Sequence, residues 1–135
     1  MTNLSGISLI CFAGDGDFLM SGQELATAVQ YELPILVLVV DNGMYGTIRM
    51  HQERQYPARV YATDLVNPDF AALARAYGAT GETVSRTEEF APALERALAA
   101  GRPALLHLLV DREAITMNAT IDDLRRQATA APAPR

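Results

Sequence analysis

The segment that joins two apolar runs constrains the fold of this chain more than any other part of the sequence. The first run covers residues 7–13 and the second covers residues 35–40. A continuous apolar run without alternation is typical of a strand that is covered on both faces of a parallel sheet. Between Gly16 and Asp41 lie 24 residues, enough for one helix and the second strand. We therefore expect a βαβ unit with two parallel, neighbouring strands.

Each predicted strand is followed directly by polar residues. Asp15 lies between Gly14 and Gly16 after the first strand, and Asp41 and Asn42 follow the second. Open parallel sheets bind ligands at the carboxyl ends of their strands. Side-chain oxygens there suit Mg²⁺, which takes one or two carboxylates together with phosphate oxygens, and the glycines would let a phosphate approach the backbone. The alternative is that the acid is a turn residue and the amide a helix cap.

The rest of the chain alternates between helical and strand patterns. Ser21 with Glu24 predicts a capping box and a helix from Gly22, and Asn67 with Pro68 predicts a second helix start. Further helices are predicted over residues 45–54 and 87–100, and further strands over 79–84 and 104–110. The alternation predicts an α/β fold with an open, mostly parallel, doubly wound sheet flanked by helices. Residues 1–121 are expected to form one domain, and residues 122–135 a tail that is disordered at its end.

Composition and charge narrow the possible functions. The formal net charge of −5 over 135 residues argues against binding to nucleic acid. No apolar run approaches the ~20 residues that span a membrane, and the N-terminus lacks the pattern of a secretory signal, so we expect a cytoplasmic protein that does not bind membranes. Cys11, the single cysteine, is expected to be a buried and inert thiol. His107 is expected to be a core histidine that makes a hydrogen bond.

The motifs, taken together, resemble the signature of the thiamine-diphosphate-dependent enzymes. The segments GDG at 14–16, QELAT at 23–27 and DNGMYG at 41–46 are similar to the acetolactate synthase and benzoylformate decarboxylase branch. The resemblance extends over residues 7–121 and implies the diphosphate-binding domain, with thiamine diphosphate and Mg²⁺ as cofactors. In that family a Gly-rich loop and a helix precede the first strand. The resemblance therefore implies an N-terminally truncated domain, or one polypeptide of a split enzyme, with one face of its sheet uncovered.

The resemblance also implies roles for single residues. The side chains of Asp15 and Asn42 and the backbone carbonyl of Met44 would hold Mg²⁺. The family usually has Asn at position 41, so Asp41 is a departure that adds negative charge. The residues that the resemblance places around the cofactor are Gly14, Asp15, Gly16, Asp17, Asn42, Gly43, Met44, Tyr45 and Gly46. No catalytic residue is implied, because the activating glutamate of the family belongs to a separate, pyrimidine-binding domain.

The resemblance implies part of a larger or multi-chain lyase or transferase. Such an enzyme decarboxylates a 2-oxo acid or, like acetolactate synthase, ligates the product to a second carbonyl compound. We expect this chain alone to be inactive, and to work in an oligomer with a pyrimidine-binding domain or subunit. One alternative is a non-catalytic subunit or degenerate fragment that acts as an assembly partner. A flavodoxin-like or response-regulator-like phosphate module is the other, and the retention of Asn42 argues against it. The substrate is not readable from these residues.

Overall fold

A computed structural model describes residues 9–130 of the chain and divides them into two compact units. The first unit comprises residues 9–41 and 67–109, and the second comprises residues 42–66 and 110–130. The elements are, in chain order, β1 (Leu9–Gly14), α1 (Asp15–Ser21), a 3-10 turn (Gly22–Glu24), α2 (Leu25–Gln30), β2 (Ile35–Asp41), α3 (Gly46–Gln55), α4 (Phe70–Ala76), β3 (Thr80–Val84), α5 (Thr87–Ala99), β4 (Ala104–Leu109) and α6 (Ile121–Ala130).

The first unit contains a parallel sheet of four strands in the order β1-β2-β4-β3. Strands β1 and β2 are neighbours, and their register places Gly14 beside Val40. On the other side of β2, Val39 lies beside His107 of β4. The predicted βαβ unit and the predicted open, parallel, doubly wound sheet are therefore confirmed, because the connections leave helices on both faces.

Alternate side chains of β2 enter two separate apolar clusters. Leu36 and Leu38 pack with residues of α5, while Val37 and Val39 pack with residues of α1, α2 and α4. All four are at most 6% exposed. Burial of each such side chain stabilises the fold by about 1.5–3 kcal/mol, so the uninterrupted apolar run is what a strand covered on both faces requires.

Strand β1 differs from this pattern, because it is the edge of the sheet. Leu9, Ile10 and Phe12 are 57%, 47% and 73% exposed. Ile10 and Phe12 pair with Leu36 and Leu38, so they lie on the α5 face, but α5 packs on β3 and β4. The prediction of an uncovered sheet face is thus confirmed over the described residues. The prediction of a buried Cys11 is wrong, since its thiol lies exposed on this edge strand. Residues 7 and 8 of the predicted strand lie outside the described part.

Two predicted helix caps are wrong, although a helical segment does begin at Gly22 as predicted, first as a 3-10 helix and then as α2. Helix α1 begins at Asp15, directly after β1, where a turn was expected; the Asp17 carboxylate accepts a bond from the Gly14 N–H, at 3.3 Å, and so caps that first turn. No side-chain cap bond forms at Ser21, which ends α1. Helix α4 is capped by Asp69, whose Oδ1 accepts a bond from the Ala72 N–H at 2.9 Å. The side chain nearest the helix takes the capping role and leaves the predicted cap, two residues upstream, to bond elsewhere.

The other predicted elements of this unit are confirmed to within about two residues. The chain leaves α4 through Gly78 with φ of +93°, a conformation that favours glycine, and then enters β3. Helix α5 packs Phe90, Leu94 and Ala97 towards the sheet, as its periodicity predicts. Nowhere in residues 9–130 is a helix both long enough and apolar enough to cross a membrane.

The second unit is organised by contact between α3 and α6. Residues 122–130, which were expected to belong to a C-terminal tail, lie in helix α6. The disorder expected at the end of that tail concerns residues 131–135, which lie outside the described part of the chain. The physical basis of α6 is a short apolar stripe, because Ile121 and Leu124 lie three residues apart and are 1% and 5% exposed.

A buried carboxylate joins the two helices of the second unit. Glu53 of α3 is 1% exposed, and Arg125 of α6 donates to both of its oxygens, at 2.8 and 3.0 Å. Arg49, one turn earlier on α3, donates a further bond at 2.9 Å, and the Ala58 N–H donates another at 2.8 Å. The bonds from Arg125 are the main reason that the pKa of Glu53 falls from 4.5 to about 2.

We expect the change Glu53→Gln to lower the free energy of unfolding by about 3 kcal/mol at neutral pH, because it leaves two arginines without their shared carboxylate. A lowered carboxyl pKa stabilises the fold above pH 4.5, and this contribution is lost as the pH falls from 4.5 towards 2. The difference between variant and wild type should therefore shrink on acidification, as measured by urea denaturation. Glu95→Gln, at an exposed position of α5, is the control. A difference that did not vary with pH would contradict this assignment.

Candidate functional site

Two acidic side chains meet at the carboxyl ends of β1 and β2 in the first unit. Asp15, the first residue of α1, is 3% exposed, and Asp41, the last residue of β2, is 8% exposed. The amide nitrogen of Asn67 donates to both, at 2.7 Å from Asp15 Oδ2 and 2.8 Å from Asp41 Oδ1. The other oxygen of Asp15 accepts the Gly16 N–H at 2.9 Å. We call Asp15, Asp41, Asn67 and His107 the carboxylate cluster.

His107 forms the floor of the carboxylate cluster. Its side chain projects from β4, is buried, and places Nε2 2.8 Å from Asp41 Oδ2. The Phe70 ring packs edge-on against the imidazole, with 5.0 Å between the ring centroids. The other ring nitrogen lies 3.9 Å from Asp69 Oδ1, beyond hydrogen-bond distance. The predicted core histidine with a hydrogen bond is thus confirmed, and its partner is the acid at the end of β2.

Burial dominates the electrostatics of Asp15. Its pKa is raised above 3.8, chiefly by loss of solvation and further by the neighbouring carboxyl group of Asp41. The bonds from Asn67 and from the Gly16 N–H oppose this shift and do not cancel it. A buried carboxylate at the end of a parallel strand is a favourable setting for a cation.

The second unit contains the segment that follows Asp41 in the chain. Asn42 Oδ1 accepts the Met44 N–H at 3.2 Å, which closes a local turn. Gly43 has φ of +66°, within the region that favours glycine, and its carbonyl accepts the Leu65 N–H at 2.9 Å. The Tyr45 N–H donates to the carbonyl of Thr63 at 2.8 Å. Backbone bonds on both sides therefore fix the conformation of this segment.

Gly46 leaves the space that the Asn42 side chain occupies. A Cβ atom at Gly46 would lie 2.9 Å from Asn42 Nδ2 and 2.8 Å from Ile115 Cδ1, both closer than such atoms normally approach. The Met44 side chain is buried, at 4% exposed. A glycine at the first position of α3 therefore sets the orientation of the Asn42 amide.

The predicted site residues are divided between the two units. The first unit contains Gly14, Asp15, Gly16 and Asp17, all in the strand-to-helix junction, and the second contains Asn42, Met44, Tyr45 and Gly46. Among the described residues, no group of three or more His, Cys, Asp or Glu side chains is arranged to hold a metal ion. The ligand roles of Asp15, Asn42 and Met44 stay predictions.

Sequence reasoning did not identify Asn67 as part of the site. It was predicted to cap a helix, but its side chain reaches 52 residues back along the chain to Asp15. Its Oδ1 atom is buried and has no hydrogen-bond partner among the described residues. The available signal was Asp69, an equally good cap two residues later, which makes a second capping residue unnecessary.

The donor set of the first unit fits a hard cation. Mg²⁺ prefers carboxylate and other oxygen ligands, and the first unit offers the buried carboxylate of Asp15 at the carboxyl end of β1, with a second buried acid, Asp41, beside it. Soft ligands do not contribute to the cluster. The Nε2 atom of His107 is already bonded to Asp41, and the carboxylate oxygens suit a hard divalent ion.

Comparison with known proteins gives consistent matches. The model of the family described as "Thiamine pyrophosphate enzyme, C-terminal TPP binding domain" matches residues 4–108. The acetolactate synthase isozyme 2 large subunit of Escherichia coli is 36% identical over 105 residues, which are 77% of this chain and 19% of that protein. The acetolactate synthase large subunit of Parasynechococcus marenigrum is 39% identical over 106 residues, 77% of this chain and 17% of that protein.

A solved structure shares the fold. The crystal structure of benzoylformate decarboxylase from Polynucleobacter necessarius superimposes with a TM-score of 0.71 and 28% identity, over 77% of this chain and 20% of that one. The chain thus spans about a fifth of the length of the relatives it matches.

The crowding at Gly46 gives a prediction. We expect Gly46→Ala to destabilise the chain by about 1–3 kcal/mol, because the added methyl group overlaps two side chains, and to shift the side-chain amide resonances of Asn42 in NMR spectra. Adding Ile115→Val removes one of the two overlaps and should recover part of the stability while the Asn42 shift remains. Unchanged Asn42 resonances would contradict the role given to Gly46.

Proposed function

Since the chain belongs to the family of C-terminal TPP-binding domains of thiamine pyrophosphate enzymes, we propose that it binds the Mg²⁺-diphosphate end of thiamine diphosphate within a larger enzyme. The observation that carries the proposal is the buried carboxylate of Asp15 at the carboxyl end of β1, beside the second buried acid, Asp41. Parallel sheets bind their ligands at this end. A hard cation bound there would interact favourably with the carboxylate of Asp15.

Three groups would hold the ion: the carboxylate of Asp15, the side-chain oxygen of Asn42 and the backbone carbonyl of Met44. The Asn42 oxygen accepts one bond from the Met44 N–H and has a second lone pair for a metal. Diphosphate oxygens would complete the ligand shell, as Mg²⁺ usually requires when a protein supplies few ligands. This division suits a domain whose task is to anchor the cofactor.

The remaining predicted residues would contribute backbone and shape. Gly14, Gly16 and Gly46 would allow the diphosphate to approach the main chain. Asp17, a carboxylate that would repel a phosphate, accepts the Gly14 N–H and so has a local capping role. We also assign the backbone of Tyr45, fixed by its bond to Thr63, to this part of the site.

When bound, thiamine diphosphate supplies a carbon nucleophile for a carbonyl group and accepts the electron pair released on decarboxylation. The residues of this chain would fix the position and charge of the diphosphate and thereby the direction in which the reactive ring projects. We propose a 2-oxo acid as the substrate of the whole enzyme. The reaction class is decarboxylation or carboligation of the acetolactate synthase kind.

The whole enzyme would need a pyrimidine-binding domain or subunit, which we propose as the partner of this chain in an oligomer. The exposed apolar surface of β1 supports association with other protein, because a contiguous apolar edge is rarely left in water. A second candidate function is a non-catalytic assembly partner. Asp41, in the place of the usual asparagine, is the observation that favours it, because it adds charge beside the proposed ligand.

The metal site is tested by cofactor binding. We expect the 135-residue chain to bind thiamine diphosphate only when Mg²⁺ is present. Asp15→Ala and Asn42→Ala should each weaken binding at least tenfold, or about 1.4 kcal/mol, because each removes a ligand of the ion. Calorimetry at high protein concentration measures the effect.

The matched controls are Glu95→Ala and Asn118→Ala, at exposed positions that lie outside the proposed site. Both should bind as the wild type does. Equal affinity in the presence of a chelator would refute the metal site, whereas binding without turnover in any assembly would favour the non-catalytic alternative.

Turnover tests the partner. With cofactor and Mg²⁺ supplied, we expect the isolated chain to associate through its exposed β1 surface and to release no CO₂ from pyruvate or benzoylformate. The physical reason is that the proposed activating acid and the second half of the cleft belong to the partner. Co-expression with a pyrimidine-binding domain of the same family should restore both cofactor affinity and turnover. Robust turnover by the purified chain alone would contradict the proposed division of labour.

A further inference from the structure

The amide of Asn67 joins two acids that are far apart in the chain. Its nitrogen bonds Asp15 and Asp41, which precede it by 52 and 26 residues. Both partners are carboxylates, so the nitrogen must face them, and this fixes the orientation of the amide. The consequence is that Oδ1 is buried with no hydrogen-bond partner within the described residues. The chain thus tolerates an unpaired acceptor in order to keep both acids bonded.

The bridge between the acids is neutral. An arginine or lysine at this position would neutralise the acids and compete with a metal ion for them. A neutral amide bonds one oxygen of each carboxylate and fixes its position without adding a positive charge that would compete with a cation. Asn67 donates to Oδ2 of Asp15 and the Gly16 N–H donates to Oδ1. Because both oxygens accept a bond, the orientation of the Asp15 carboxylate is fixed.

We propose that Asn67 is a positioning residue for the cation site, holding the Asp15 carboxylate in its binding orientation against repulsion from Asp41. The inference rests on the proposed role of Asp15 as a Mg²⁺ ligand and adds a residue that touches neither the ion nor the cofactor. Without the amide, the two buried carboxylates would turn away from each other or toward other donors. Each change would displace the oxygen that the ion needs.

A purely structural role for Asn67 makes a different prediction. Asn67 precedes α4, and its bonds could serve only to fasten that loop to the sheet. In that case, removing the side chain would lower stability, but the folded fraction would bind cofactor as before. The cost would also be independent of the charge at position 41. The positioning role predicts coupling between the two positions, because the amide opposes a like-charge repulsion that requires Asp41.

A double-mutant cycle separates the two roles. The full chain, Asn67→Ala, Asp41→Asn and the double variant are titrated with thiamine diphosphate and Mg²⁺, with amide chemical shifts in NMR as a readout that detects weak binding. Circular dichroism confirms the fold of each. Asn118→Ala, an exposed asparagine changed in the same way, is the control.

We expect Asn67→Ala to weaken Mg²⁺-dependent binding at least tenfold and Asp41→Asn to leave it unchanged or modestly tighter. The side-chain oxygen of an asparagine at position 41 can still accept the bond from Asn67. Its side-chain nitrogen can donate to Nε2 of His107 when the imidazole is in the tautomer that has its proton on Nδ1. In the Asp41→Asn background, loss of Asn67 should weaken binding no more than about threefold, since the repulsion is gone. If Asn67→Ala does not fold, Asn67→Ser, whose single hydroxyl donor can hold only one carboxylate, should show the same direction of change.

The outcomes distinguish this inference from the proposed function. If the wild type binds with Mg²⁺ and Asp15→Ala weakens binding, but Asn67→Ala binds as the wild type does, only the positioning role is overturned. Equal losses from Asn67→Ala in both backgrounds likewise overturn it and assign a fastening role. If the wild type shows no Mg²⁺-dependent binding, the proposed metal site fails, and the inference fails with it.

Discussion

The architecture of the first unit depends on the parallel pairing of β1 with β2, which forces two acids together in a buried place. The register ends with Gly14 beside Val40, so the next residue after each, Asp15 and Asp41, emerges at the same end of the sheet. Burying two carboxylates is unfavourable, and the apolar contacts that β2 makes on both faces of the sheet offset this cost. The bonds of Asn67 and His107 then determine how the two carboxylates share the space. Removing Asp15 would relieve the crowding of buried acids but would also remove the proposed ligand of the ion, which is the usual conflict between stability and function.

The second unit holds its part of the proposed site by different means. A loop rich in glycine carries Asn42, and its conformation is fixed by backbone bonds and by lack of space at Gly46. Helix α3, which begins there, is tied to α6 by the buried ion pairs of Glu53. A buried ion pair specifies geometry more reliably than it adds stability. Helix α6 thus helps to hold α3 in place through Glu53, although it contributes no residue to the predicted site.

The sheet was predictable because its signal is local and redundant. The apolar run of β2 is long, ends at Asp41 and has a proline before it and a glycine soon after it. The pattern alone therefore predicts that the run is a strand and that it pairs with β1. The apolar run of β4 predicts a strand in the same way, whereas β3 is short and has one buried residue, Val84. The start of α1 was not predictable. Asp15 follows β1 directly and is also the first residue of α1, and the same sequence is equally typical of a turn. Helix α6 was missed because two buried residues, Ile121 and Leu124, are too few to stand out from a polar segment.

Some residues of the carboxylate cluster could be predicted from the sequence and others could not. Asp15 follows from its place after a buried strand, and His107 from its place within one. Asn67 depends on a contact across 52 residues, and local rules gave it the one role that its neighbour Asp69 fills. Long-range polar contacts of this kind depend on the exact packing of α4, which no periodicity encodes. The predicted metal ligands came from the family resemblance for the same reason: it contains spatial information that a single sequence lacks.

The edge strand β1 also carries the chain's single thiol. Cys11 is exposed, as are Ile10 and Phe12 on either side of it in the strand. Because the sequence has a single cysteine, a thiol reagent would modify this position alone. Its rate of alkylation therefore reports directly whether that edge is covered, without any engineered label. A protein that docks on β1 would protect the thiol, and one that docks elsewhere would leave it reactive. The fold thus contains its own footprinting probe for the surface through which assembly is expected.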